Sequence, residues 1–287
     1  MDVSYMTGNN TETDQILKET IENIKNILGP RLDEIKVERV VIGIFFTGVK
    51  LTTGEGGLCY TPVKAIPEAV CCPSSARAMP NSGSLTKRPI SLYFDDALSS
   101  KPIRKALGIA VINALSDLCW KSNPPVGYTI TKGIDAMDTV EIYEDDFVVV
   151  IGALAPLLKV LLKRGKSFNV IEQDPRTLKP DEMPFFVPVD KTNECVPKAD
   201  LLVITGTTLI NSTLEGLLSL AHKNARIVVM GPTASMLPDA FFKRGVDILG
   251  GDIVTKPDEL LDVIAEGGSG YHFFEKSADR VVFTRKT

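Results

Sequence analysis

Residues 146–175 read DFVVVIGALAPLLKVLLKRGKSFNVIEQDP, and their rhythm decides the fold. An apolar run ends on Gly152, the helical stretch ALAPLLKVLLKRG follows, and a second apolar run ends on Glu172. The alternation continues to about Ile264 through the runs LLVITG, RIVVMG and VDILGG. Strands that alternate with helical segments of about 10–15 residues indicate βαβ units on a parallel sheet. Continuous apolar strands are those buried on both faces. A doubly wound, Rossmann-like domain is the reading for residues 126–287.

Residues 1–125 keep a different rhythm and read as a smaller α+β domain. Ile16, Leu17, Ile21, Ile24, Ile27 and Leu28 share one helical face. The stretch KVERVVIGIFFTGVKLTTG suits an antiparallel hairpin turning near Thr47-Gly48. Residues 102–120 place Ile103, Ala106, Leu107, Ala110, Val111, Ala114, Leu115 and Leu118 in one apolar stripe. The join falls within residues 121–138, where Pro124-Pro125 ends the preceding helix. Residues 71–89, rich in Pro, Gly and Ser, read either as a surface excursion or as a lid over a site.

Composition narrows the function classes. Of 287 residues, 44% are hydrophobic and 24% charged, which is ordinary for a soluble globular protein. A net charge of −4 offers no basic field for nucleic acid. No apolar stretch reaches the ~20 residues that span a bilayer. The opening MDVSYMTGNNTETDQ has neither a basic n-region nor an apolar core, so a cytoplasmic protein is expected. Cys59, Cys71, Cys72, Cys119 and Cys195 show no CxxC spacing, so no metal site is expected. A homodimer is expected from base rates alone.

Ligands of open α/β sheets bind beyond the carboxyl ends of the strands, where the order reverses. Gly152 opens a tight turn there, but Leu154 and Leu157 stand where a G-x-G-x-x-G motif needs glycine, which argues against a dinucleotide. Glu172 follows Gly152 by twenty residues, the offset of an acid that accepts from a ribose diol; otherwise it is a solvated strand-end carboxylate. Asp174, in QDPR, reads as a turn former.

The turn TGTTLINSTLEG carries Thr205, Gly206, Thr207, Thr208, Asn211 and Thr213 before a helix whose start is set by a Ser212–Glu215 capping box. Hydroxyls beside unpaired amides suit a carboxylate, phosphate or ribose oxygen, unless they merely satisfy their own backbone. Gly231, Pro232 and Thr233 repeat the theme after the next strand. Lys50 and Tyr60 are acid–base or anion-binding candidates approaching from the first domain; the plainer alternative is a surface lysine and a half-buried tyrosine. Asn113 is a core amide or a site residue. His222 is read as a helical, structural residue, and His272 as a ring near a glycine-rich turn. No G-x-S-x-G elbow is present.

FFTGVKL with GLCYTP, then KALGIAVINAL, ADLLVITGTTLINSTLEGLL and VVMGPTASMLPDAFFKRGVDILGG together resemble the putative heavy-metal-chelation proteins of prokaryotes. The resemblance covers most of the chain. It implies an enolase-N-terminal-like domain joined to a Rossmann-like domain with a site between them. Two histidines and no clustered thiolates are few ligands for a protein that itself sequesters a soft metal. The expectation is a protein that binds a small anionic or chelator-like metabolite in an interdomain cleft, as an enzyme of chelator or metal-cofactor metabolism. The alternatives are a non-catalytic metallophore or cofactor carrier, and a nucleoside- or S-adenosylmethionine-dependent transferase. No cofactor is identified.

Overall fold

The computed structural model describes residues 13–65, 79–123 and 126–286. Helix α1 (Gln15–Leu28) buries Ile16, Leu17, Ile21, Ile24 and Leu28, the face anticipated from its spacing. Strands β1 (Val37–Ile42), β2 (Phe46–Leu51) and β3 (Gly56–Tyr60) form an antiparallel meander. The β1–β2 turn lies at residues 43–45, so Thr47 and Gly48 sit within β2 and not at the turn. Exposed Ile44 and Phe45 occupy that turn, an apolar pair that disguises it in the sequence. Residues 66–78, with Cys71 and Cys72, lie outside the described residues, and so does the first part, 71–78, of the segment 71–89 read as a surface excursion or a lid.

Helices α2 (Ile90–Ala97) and α3 (Pro102–Ser122) follow. The apolar stripe expected on α3 is only part of its surface. Lys105 through Cys119 are buried without a break, so the helix is enclosed on every side. It is a core helix although Lys105, Asn113, Ser116 and Asp117 are polar. Glycine permits its closest contacts: a Cβ on Gly57 of β3 would lie 2.1 Å from the carbonyl oxygen of Ala110.

The stretch expected as a linker contains β4 (Tyr128–Lys132), and the short helix α4 (Ala136–Thr139) comes next. Then the βα alternation begins: β5 (Val148–Ile151), α5 (Ala155–Arg164), β6 (Phe168–Ile171), β7 (Phe186–Val187), α6 (Thr192–Cys195), β8 (Leu201–Thr205), α7 (Leu214–Leu220), β9 (Arg226–Met230), α8 (Asp239–Phe242) and β10 (Ile248–Val254). Helices α9 (Pro257–Ala265) and α10 (Gly270–Phe273) precede β11 (Ala278–Arg285).

Six strands pair in parallel in the order β10-β9-β8-β5-β6-β7. Renumbered along the chain this is 6-5-4-1-2-3, the order of the doubly wound dinucleotide folds. Antiparallel β11 joins β10 to β4, and β3 joins β10 to the meander, so the mixed α/β chain shares one sheet. Alternate residues of β8 enter opposite cores: Leu202 and Ile204 pack with α1 and α3, while Leu201 and Val203 pack with α5. Each fully buried Leu, Ile or Val of this kind contributes about 1.5–3 kcal/mol. The order reverses between β5 and β8. Among the described residues, no helix is long and apolar enough to cross a membrane.

Candidate functional site

Gly152 leaves β5 at φ 93°, and a Cβ there would stand 2.7 Å from Cγ2 of Thr205 at the end of β8. Glycine therefore lets the two turns meet at the switch point. Gly152→Ala is expected to cost about 1–3 kcal/mol, combining left-handed backbone with overpacking. Urea denaturation reads this directly, and an unchanged midpoint would mean that the turn has slack.

A hollow of about 110 Å³ opens beside this contact, and its walls include Gly152, Glu172, Thr205, Thr207, Thr208 and Asn211. Six of the residues expected to bind a ligand are thus brought together. Gly206 sits behind them, its Cβ position 3.0 Å from Cβ of Ala234.

The polar atoms divide into spent and available. Thr208 Oγ1 donates to the Thr205 carbonyl at 2.7 Å, and Thr213 Oγ1 donates to Asn211 Oδ1 at 2.6 Å. The Thr205 and Thr207 hydroxyls share a 3.2 Å bond and Thr205 Oγ1 also accepts the Thr207 amide at 3.4 Å, which leaves Thr207 the freer of the two. Nδ2 of Asn211 has no hydrogen-bond partner among the described residues.

Glu172 is the strongest local acceptor. Its Oε2 accepts from the Ala153 amide at 2.9 Å, and its Oε1 accepts from the amides of Gln173 at 2.7 Å and Asp174 at 3.2 Å. The amide just past Gly152, which in a dinucleotide turn would face phosphate, therefore already holds a carboxylate. An incoming diphosphate would meet negative charge there, a reason against it beyond the missing glycines. Asp174 caps its own turn through the Arg176 amide, as its sequence suggested. Arg176 and then Lys64 hold its carboxyl well below the usual range. The 2.5 Å Lys64–Asp174 pair brings the segment after β3 to the rim of this region.

The expected capping box is not formed. Ser212 adopts a left-handed φ of 59°, and α7 starts at Leu214. Glu215 turns away from its own helix and accepts the Ile16 amide at 2.9 Å, capping α1. Ser212 Oγ accepts from Lys105 Nζ at 2.6 Å, and the same ammonium donates to Asp14 Oδ1 at 2.6 Å. The start of a buried helix leaves amides that need acceptors, and that need overrides the local motif.

The remaining candidates lie elsewhere. Thr233 is buried, its Oγ1 accepting from the Tyr60 amide at 3.1 Å and from the Cys59 thiol at 3.7 Å. Burial pushes that thiol up to about 12. Asn113 is a core amide: its Nδ2 donates to the carbonyls of Leu58 at 2.8 Å and of Pro232 and Thr233, each at 3.2 Å. Gly231 and Pro232 line a second hollow. Lys50 donates to Asp258 at 2.8 Å and Glu38 at 2.9 Å, and these partners raise its pKa, so it remains a surface cation. Neither Lys50 nor Tyr60 lines the switch-point hollow. His222 lies past the end of α7, exposed, where its Nδ1 accepts from the Asn224 amide at 3.3 Å. His272 caps α10 through the Ser269 amide at 3.0 Å. Sequence reasoning passed over Lys105, whose neighbours in an apolar helix gave no hint of a polar partner. It also passed over Asp252, a lone acid in the strand ILGGDIV.

The profile described as "DUF364: Putative heavy-metal chelation" matches residues 135–283, and "DUF4213: Putative heavy-metal chelation" matches residues 25–116. An uncharacterised protein of Methanocaldococcus jannaschii is 25% identical over 252 residues, 86% of this chain and 89% of that one. The crystal structure of a DUF364 protein of unknown function from Pyrococcus horikoshii superposes with a TM-score of 0.70 at 20% identity, covering 93% of this chain and 99% of that one. A second, from Desulfitobacterium hafniense, gives 0.66 at 16% identity, with 94% and 99% covered. Those two likenesses show a shared fold. With more than half of its length matched by the first profile, this chain belongs to DUF364, the family described as "Putative heavy-metal chelation".

Proposed function

We propose that the protein binds a small, oxygen-rich metabolite of the chelator type at the switch-point hollow, whose walls come from residues 151–217 of the Rossmann-like segment and not from a cleft between the two segments. The observation that carries this reading is the convergence of Thr205, Thr207 and Glu172 on one hollow where the strand order reverses. The threonine hydroxyls donate to or accept from ligand oxygens, and the remaining lone pairs of Glu172 accept from ligand hydroxyls. Among the described residues no cation lines the hollow, so a bound metabolite presents hydroxyls to it and keeps its own anionic groups outward. Among the described residues no three His, Cys, Asp or Glu side chains gather to hold an ion. The reading accordingly puts the metal's ligands on the metabolite.

Thermal-shift titrations with 2,3-dihydroxybenzoate, adenosine and Zn²⁺ alone test it. A ligand at ~100 times its Kd stabilises by ~2.7 kcal/mol. The expected result is a shift with dihydroxybenzoate that Thr207→Val and Glu172→Gln each weaken at least about tenfold, the ~1.4 kcal/mol scale of one lost charged hydrogen bond. A shift with adenosine alone would favour the transferase reading, since Glu172 holds the strand-end position of a ribose-binding acid. A shift with Zn²⁺ alone would overturn the reading in favour of direct sequestration.

A further inference from the structure

The second hollow lies on the opposite face of the sheet, at the same carboxyl edge, and encloses about 190 Å³. Its walls are mostly apolar side chains and glycine, with Ala136, Leu157, Met230 and Phe274 among them. An engineered apolar cavity of about 150 Å³ accommodates benzene, so a ring-sized ligand fits this one.

Three charged side chains break the apolar lining: Asp135 and Arg280, which bond each other, and Asp252. Asp252 of β10 is only 7% exposed. Its backbone amide donates to Ser235 Oγ at 2.7 Å, but its carboxylate has no hydrogen bond, and no ion pair within 4 Å, among the described residues. The register makes this unexpected, because Asp252 stands directly opposite Arg280 on β11. Opposite charges so placed usually pair. Here the Arg280 guanidinium bonds Asp135 instead and lies 5.0 Å from the Phe274 ring. Asp135 is in turn fixed as the cap of α4, accepting the Met137 amide at 2.9 Å. Gly250, on the same face as Asp252, admits α4 to that position, since a Cβ there would strike Ala136 at 2.4 Å. The fold thus diverts the natural partner of Asp252 and leaves a buried carboxyl facing an apolar hollow.

We infer that this hollow is a binding site for a small molecule with an apolar, ring-sized body and a protonated nitrogen, with Asp252 as its counter-ion. Unpaired buried charge is costly, and the ligand cation removes that cost. Burial raises the Asp252 carboxyl to about 7, with Arg280 opposing the rise and Asp135 adding to it. These two are the charged groups on the hollow; α5 and β9 present only apolar residues and glycine. The sign follows. A cation binds the ionised carboxylate, so affinity grows as pH rises through about 7. At pH 6 only about one molecule in ten is ionised, and binding is roughly tenfold weaker than at pH 8. This site is separate from the switch-point hollow and does not depend on the function proposed for it.

Benzylamine is the probe and benzyl alcohol its uncharged counterpart, both followed by isothermal titration calorimetry. The expected result is saturable benzylamine binding at pH 8, roughly tenfold weaker at pH 6, and at least about tenfold weaker in Asp252→Asn. Benzyl alcohol should bind weakly and without pH dependence. A carboxyl-carbon NMR titration of the unsubstituted protein stands in if the variant does not fold: saturating benzylamine should draw the Asp252 midpoint down toward the ordinary carboxylate range. Equal binding of amine and alcohol, no saturation by the amine, or an unmoved Asp252 midpoint would each overturn the inference. Loss of the dihydroxybenzoate response with benzylamine binding intact, or the reverse, tells failure at one hollow from failure at the other.

Discussion

Gly57→Val will destabilise the fold by about 3 kcal/mol or more, at or above the top of the range for overpacked cores. The new Cβ would lie 2.1 Å from the Ala110 carbonyl oxygen and 2.5 Å from the Ala114 amide nitrogen. Both are backbone atoms of α3, so no rotamer change relieves the clash. Relief requires β3 to lift from the helix, which pulls Cys59 and Tyr60 away from Thr233. Guanidinium unfolding checks the magnitude, with Gly57→Ala expected to fall between wild type and valine. A loss under about 1 kcal/mol would mean that α3 is not seated on the meander as described.

Lys105→Met is expected to cost about 3 kcal/mol, the lower end for breaking a buried ion pair. Lys105 is 2% exposed and holds Asp14 and Ser212 together at 2.6 Å each. Methionine matches its length but strands the Asp14 carboxylate, whose side chain keeps 13% exposure and so recovers some hydration. Asp14→Asn in the same chain removes the stranded charge and should restore much of the loss. A double variant as unstable as the single one would place the effect in packing and not in charge.

How far these features could be read from residues alone differs by element. β5, β6, β8, β9 and β10 announce themselves because strands buried on both faces read as mainly apolar runs. β4, β7 and β11 do not. β7 has two residues, β4 is a short mixed run, and the role of β11 rests on pairing antiparallel with both β10 and β4. The apolar stripe on α3 was visible, but its enclosure was not, because Asn113, Ser116 and Asp117 on the other side look like a solvated face and are buried. At the site, the hydroxyl cluster after β8 was legible as composition. The Ser212–Glu215 pair misled because α1, nearly two hundred residues earlier, competes for the same carboxylate. The isolation of Asp252 depends on register and on where Arg280 turns, neither of which is a local property.

The bond from Ile16 to Glu215 joins residues 199 positions apart, and it is made by an amide that most helices leave open to water. In a hydrogen-exchange experiment the first amides of a helix normally trade their protons quickly, by fraying. Ile16 should trade slowly, at a rate shared with the strands it rests on, because releasing it uncovers a buried carboxylate and loosens the segment that carries Thr207. The beginning of α1 is thereby expected to report on the opening of a turn that lies far from it along the chain.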